Sequence, residues 1–307
     1  MLDAALASFG NLGLIVVDKE GNRLWHYDVP KRGRLYGLGI DPASGNIYYG
    51  MNRKIIEITR LGNKVWEFSD PQRLIGVHTI DIIGPGRLLV TSCFLSKILE
   101  IDKKLGVVRE WDMGDYFERP PGFERRDWMH LNWVKRTKDE DLLITTLYGA
   151  SKTGRRLRKS EAMRIDASGK LVWRWNDVSD RILFRAHALV PFRGHYLISE
   201  SGTKQILEVD EEGEIYKTMK IGRCHEIEVI DQNRILVACA HSREGGQRRK
   251  PALFWIDWDE GKKTIYEPPE DRIRGGHSVK YVPDWSAEPN PEEQEVIMER
   301  LKKMGYI

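Results

Sequence analysis

The chain has 307 residues with 49 Lys and Arg against 46 Asp and Glu. That near balance argues against a dedicated nucleic-acid binder, whose affinity needs a concentrated basic face. Three cysteines (Cys93, Cys224, Cys239) are too few and too scattered for a disulfide framework, which suits a reducing compartment. No apolar run approaches membrane-spanning length. The first twenty residues, with Asp3 early and no basic start, do not read as a signal peptide. The expected setting is cytoplasmic, away from membrane and nucleic acid. Abundant charge and only five Gln lean towards a thermophilic source.

In chain order, one phrase recurs six times, starting at Ile15, Ile56, Leu99, Met163, Leu207 and Phe254. Each copy is a short alternating strand, a polar turn usually carrying Asp and Gly, and a second alternating strand. Alternation at period two marks half-buried strands, and Asp-Gly supplies the turn. Two further strand-like runs precede five of the copies: 36–41 with 46–51, 78–83 with 88–94, 130–135 with 141–148, 187–192 with 196–201, and 225–230 with 234–240. The Ile15 copy has one such run before it, at 4–9, and its missing partner is available at 276–282. Four strands per forty-odd residues is the pattern of a β-propeller. The predicted fold is all-β: six blades over residues 1–287, the first closed by three N-terminal strands and one C-terminal strand. Residues 288–307 read as a helical tail, with Asn290 as N-cap and Pro291 in the first turn.

Three insertions interrupt the spacing, at 113–128, 150–160 and 242–250. The last two are basic, share one place in the repeat, and read as solvated surface loops. Trp25, Trp66, Trp111, Trp173 and Trp175 read as packing between blades, and Cys224 and Cys239 as core.

Chemistry concentrates at one position. His78, His130, His187, His225 and His277 each open an innermost strand, with Tyr36 in the sixth blade. Innermost strands line the central channel, so these rings should converge on one axis. Arg34, Arg185 and Arg223 stand two residues before the aligned ring, and Arg274 three before. Arginine with imidazole in a funnel suits a small anionic substrate such as a sulfate, phosphate or carboxylate. The same imidazoles, drawn from His130, His187, His225 and His277, can instead hold a divalent metal, the one cofactor the sequence suggests. Asp81 and Glu228, three residues after their histidines, then stand where ligands are oriented. The bland alternative is that each histidine knits neighbouring blades. A further reading is a non-catalytic binding disc, since propellers host all of these roles.

The Asp-x-x-Gly-x-x-x-Trp phrase, behind an inner strand beginning with His, resembles the arylsulfotransferase-like propellers. It also resembles, more loosely, other six-bladed enzymes of that build, including metal-dependent lyases, hydrolases and oxygenases. The resemblance covers nearly the whole chain as a repeat, through a generic motif. It implies that a channel histidine takes the sulfuryl group of an aryl sulfate and passes it to a phenol. The matching residues are the five channel histidines with Arg185, Arg223 and Arg274; which histidine is the nucleophile stays open. The familiar bacterial enzymes are exported, larger and carry an extra N-terminal β-domain, features not read in this sequence.

Overall fold

The computed structural model describes residues 3–9, 12–29, 35–119, 127–150, 156–157, 159–240, 243–244, 247–248, 250–261, 263–269, 276–283 and 285. Six four-stranded antiparallel sheets form the blades of a propeller. Blade 1 runs from inside to outside through Gly276–Val282, Ala4–Phe9, Gly13–Asp18 and Arg23–Tyr27. The C-terminal strand therefore closes the first blade, with Leu6 opposite Lys280 and Ala7 opposite Val279. This is the predicted three-plus-one closure.

Blade 2 begins at Leu38–Ile40, blade 3 at Val77–Gly84, blade 4 at Leu131–Arg136, blade 5 at Ala186–Phe192 and blade 6 at Arg223–Val229. Each of these six innermost strands touches the next, so they ring a central channel. In every blade the second and third strands are mostly buried on both faces, and read as near-continuous apolar runs such as Leu88–Val90 and Leu197–Ile198. The outermost strands are mostly exposed, each of these two anchored by one buried side chain, Trp111 or Met219. Trp111, Trp173 and Trp175 are buried between blades, while Trp25 and Trp66 are half-buried and stack on Tyr27 and Phe68.

Among the described residues, four of the six seams between inner strands are keyed by a side chain. Thr79 Oγ1 donates to the Asn132 carbonyl across the blade 3–4 seam at 3.0 Å. Ser278 Oγ does the same to the Tyr36 carbonyl across the blade 1–2 seam. In blade 4 the equivalent residue is Trp133, which has no hydroxyl, and its cross-strand partner Thr145 donates to the His187 carbonyl at 2.9 Å. Glu226 spans the last seam, accepting from the Val279 amide at 3.1 Å and from Lys280 Nζ at 2.6 Å.

Two of the insertions carry short hairpins, Gly149–Ala150 with Arg156–Leu157 and Arg243–Glu244 with Gln247–Arg248. The tail read as a helix lies outside the described residues. No helix among the described residues is long and apolar enough to cross a membrane.

Candidate functional site

All but one of the described inner strands opens on the same irregularity. Val77 pairs with Ser92 and Ile80 with Val90; Leu131 pairs with Thr146 and Trp133 with Thr145. Ala186 pairs with Glu200 and Ala188 with Ser199; Cys224 pairs with Cys239 and Glu226 with Ala238. In each case one extra residue is left over on the inner strand, a β-bulge that turns its side chain out of the ladder. The leftover residues are His78, Asn132, His187 and His225. The same count places His277 in blade 1, between Gly276 and Ser278, and Tyr36 precedes the regular pairing in blade 2.

This register corrects one sequence reading. His130 does not share the position of the other histidines; Asn132 does. His130 sits two residues earlier, in the turn where blade 3 has Gly76 and blade 5 has Arg185. All three residues have left-handed backbones, with φ of 56°, 76° and 57°. Their carbonyls accept equivalent bonds, from Leu147, Cys93 and Ser201 respectively. Glycine is the natural occupant of that conformation, so an imidazole and a guanidinium there are held at a cost of about 1 kcal/mol each. By the same count Arg223 stands at this rim position in blade 6. The channel mouth thus has two tiers: an inner tier of Tyr36, His78, Asn132, His187 and His225, and a rim where His130, Arg185 and Arg223 follow one another.

Neighbouring rings meet across the mouth. Tyr36 stacks on His78 with centroids 4.4 Å apart, and His187 stacks on His225 at 4.2 Å. His130 meets His78 edge-on at 5.0 Å, with Phe94 and Tyr148 on its flanks. Two imidazole tautomers are set by hydrogen bonds. His130 Nδ1 lies 2.5 Å from Asp127 Oδ2, and His187 Nδ1 lies 2.8 Å from the Arg185 carbonyl. Neither acceptor has a proton to give, so in both neutral rings Nδ1 carries the hydrogen and Nε2 the lone pair.

Electrostatics divide the mouth. Burial, reinforced by the nearby Arg185 charge, pulls the Arg223 guanidinium below its ordinary range. Among the described residues neither arginine has a carboxylate partner. A cavity of about 400 Å³ opens beside Arg223, with Lys204, Lys220 and Lys250 and one carboxylate, Glu267, around it and Ile221 and Phe254 on its apolar side. On the other side of the ring, Cys93 follows the second strand of blade 3 and is fully buried. Burial and then the Asp127 charge push its thiol up, so it is protonated. His78, Cys93 and His130 each offer a ligand atom within 4.8 Å of the other two.

Of the four histidines expected as metal ligands, His130 is the one that joins this group. His187 and His225 stack face to face instead, and the side chain of His277, like Arg34 and Arg274, lies outside the described residues. Asp81 and Glu228 do not orient imidazoles. They line a second cavity of about 420 Å³ with Lys135 and Lys280. The carboxylate that does orient an imidazole is Asp127, three residues before His130. Cys93, Asp127 and Asn132 were not legible as site residues: the first two reach the mouth from separate turns, and the third is exposed only by the bulge. Asn132 Nδ2 donates to the Ala186 carbonyl at 2.5 Å, while its Oδ1 is buried without a partner. Cys224 and Cys239 are buried as expected, with sulfurs 3.6 Å apart.

Fold and site together define a six-bladed propeller with a polar, cation-rich cluster at one channel mouth. No protein-family model matches the chain, and no characterised protein matches it in sequence. Solved structures share the fold. A protein of unknown function from Bacteroides caccae superposes with a TM-score of 0.66 at 16% identity, covering 92% of this chain and 100% of that one. A chain in a nidogen/laminin complex gives 0.60 at 12% identity, covering 91% and 98%. A streptogramin B lyase gives 0.53 at 14% identity, covering 80% and 72%. These likenesses establish the propeller and not the chemistry.

Proposed function

We propose that this protein is an enzyme acting on an anionic small molecule at the channel mouth, with group transfer of the arylsulfotransferase kind as its reaction. The observation that carries the reading is the guanidinium pair: the partly desolvated Arg223 is repelled by the exposed Arg185, and among the described residues neither is ion-paired with a carboxylate. Two such charges are stabilised by a sulfate, sulfonate or phosphate that accepts hydrogen bonds from both. His187, two residues from Arg185, presents its lone pair at Nε2 because its Nδ1 proton is committed to a backbone carbonyl. That nitrogen is suited to attack a sulfuryl group held by the arginines. The bond from sulfur to the phenolic oxygen breaks with its electron pair, releasing the first phenol as its phenolate. A second phenol then takes the sulfuryl group from nitrogen and gives up its proton. The aromatic side chains Tyr36, Phe94 and Tyr148 and the apolar side of the 400 Å³ cavity suit aryl groups.

The test uses 4-nitrophenyl sulfate with phenol as acceptor, alongside calorimetric titration with sulfate. The wild-type protein should bind sulfate and release 4-nitrophenol. Arg223→Ala should weaken sulfate binding at least tenfold, and His187→Ala should abolish release while keeping the binding. Failure of the wild-type protein to bind sulfate, phosphate or 4-nitrophenyl sulfate removes the reading and leaves the mouth as framework or as a binding surface.

A further inference from the structure

We propose that His78, Cys93 and His130 form a zinc site where blades 3 and 4 meet at the mouth. The donors come from three separate places: the bulge that opens blade 3, the turn after that blade's second strand, and the left-handed turn that enters blade 4. Two imidazoles and a thiol are a borderline-soft set suited to zinc. Their ligand atoms already lie within 4.8 Å of one another. Tetrahedral zinc with bonds of about 2.0 Å to nitrogen and 2.3 Å to sulfur needs spacings of roughly 3.3–3.8 Å, so small side-chain rotations close the set.

Two independent features fit a metal. Asp127 binds His130 Nδ1 at 2.5 Å, directing Nε2 away from the carboxylate, as the outer carboxylates of zinc-bound histidines do. The second oxygen of Asp127 is buried without a partner, and an anion so placed is compensated by a nearby cation. Among the described residues no lysine or arginine pairs with Asp127; its recorded ion pair is with His130. Zinc binding displaces the Cys93 proton, giving a thiolate–metal bond. Three protein ligands leave a fourth position for an oxygen ligand, which zinc would bind as phenolate or hydroxide near neutral pH. The site would thereby activate the acceptor of the proposed transfer, and that role rests on the functional reading above; the binding of zinc does not.

The experiment titrates metal-stripped full-length protein with Zn(II) by calorimetry and with Co(II) by absorption, because a thiolate–cobalt bond gives its own charge-transfer band. One zinc per chain is expected, with Cys93→Ser removing the cobalt band and weakening zinc at least a hundredfold. Asp127→Asn should weaken it roughly 10- to 100-fold. His26→Ala, whose ring bonds the Leu12 carbonyl far along the chain, should bind as the wild type. If Cys93→Ser fails to fold, His78→Ala decides with the same two readouts. Absence of stoichiometric zinc, or zinc bound equally by Cys93→Ser or His78→Ala, overturns the proposal. Sulfate binding by the metal-stripped protein is measured beside it. Sulfate binding together with failure to take up zinc sinks the metal site alone, and zinc uptake together with failure to bind sulfate sinks the anion reading alone.

Discussion

Arg185 shows what a single residue costs when function chooses it. Its φ of 57° belongs to glycine, and the equivalent turn in blade 3 carries Gly76 at 76°. Arg185→Gly should therefore raise stability by up to about 1 kcal/mol through relief of left-handed strain. The same change should weaken sulfate binding more than tenfold. Thermal melts and calorimetry on one variant read both; a variant that loses stability would show that the side chain serves the fold. Thr79 is the opposite case. Its hydroxyl donates to a buried carbonyl of the next blade, and Thr79→Val keeps the shape while leaving that oxygen unsatisfied. A loss of roughly 1–3 kcal/mol in denaturant unfolding is expected, with sulfate binding unchanged.

At the scale of the element, the inner strand joins fold and site. Alternation and turn chemistry were enough to place the strands within a few residues, because those signals are local. The bulge is not local. It is fixed by pairing with the second strand, so the fragment MHLNW looks in register with VHTID although its histidine belongs to the rim. Asp127 and Cys93 were hidden for a related reason: their meeting is made by the seam between blades 3 and 4. Closure of blade 1, by contrast, was readable from the shortage of one strand at the N-terminal end. That closure has a titratable fastener. Tyr281 on the closing strand donates to Asp3 Oδ1 at 2.5 Å, and Asp3 also pairs with Arg234 of blade 6. The Tyr281 hydrogen bond, with Arg234 and Lys19 assisting against burial, holds the Asp3 carboxyl below its usual range. Burial, and then Asp3, push the Tyr281 phenol up from 10.0 to about 12. A raised folded-state value means the contribution is full below about pH 10 and is lost as pH rises through about 12. The melting temperature of the wild type should exceed that of Tyr281→Phe at pH 8. The gap should narrow between pH 10 and 12; a gap that stays constant across that range would show the phenol is not the fastener.

The whole molecule is a ring whose six sheets each rely on two neighbours. Removing residues 276–307 would strip blade 1 of its innermost strand, exposing one edge of Ala4–Phe9 and taking from the buried Glu226 its Val279 and Lys280 donors. Unpaired edges recruit other chains, so the truncated protein should melt well below the full chain and associate. A truncation with the wild-type melting temperature, by calorimetry and light scattering, would refute the closure. The same arrangement sets an order for synthesis. As the chain leaves the ribosome, blades 2 to 6 can each assemble once their own strands have emerged, because their strands are contiguous in sequence. The first blade cannot. Its three N-terminal strands are made earliest, yet their partner is translated more than two hundred residues later, after every other blade. Completion of the ring therefore waits until residues 276–282 have been made, and a chain stopped short of them is an open arc with a bare edge along Ala4–Phe9.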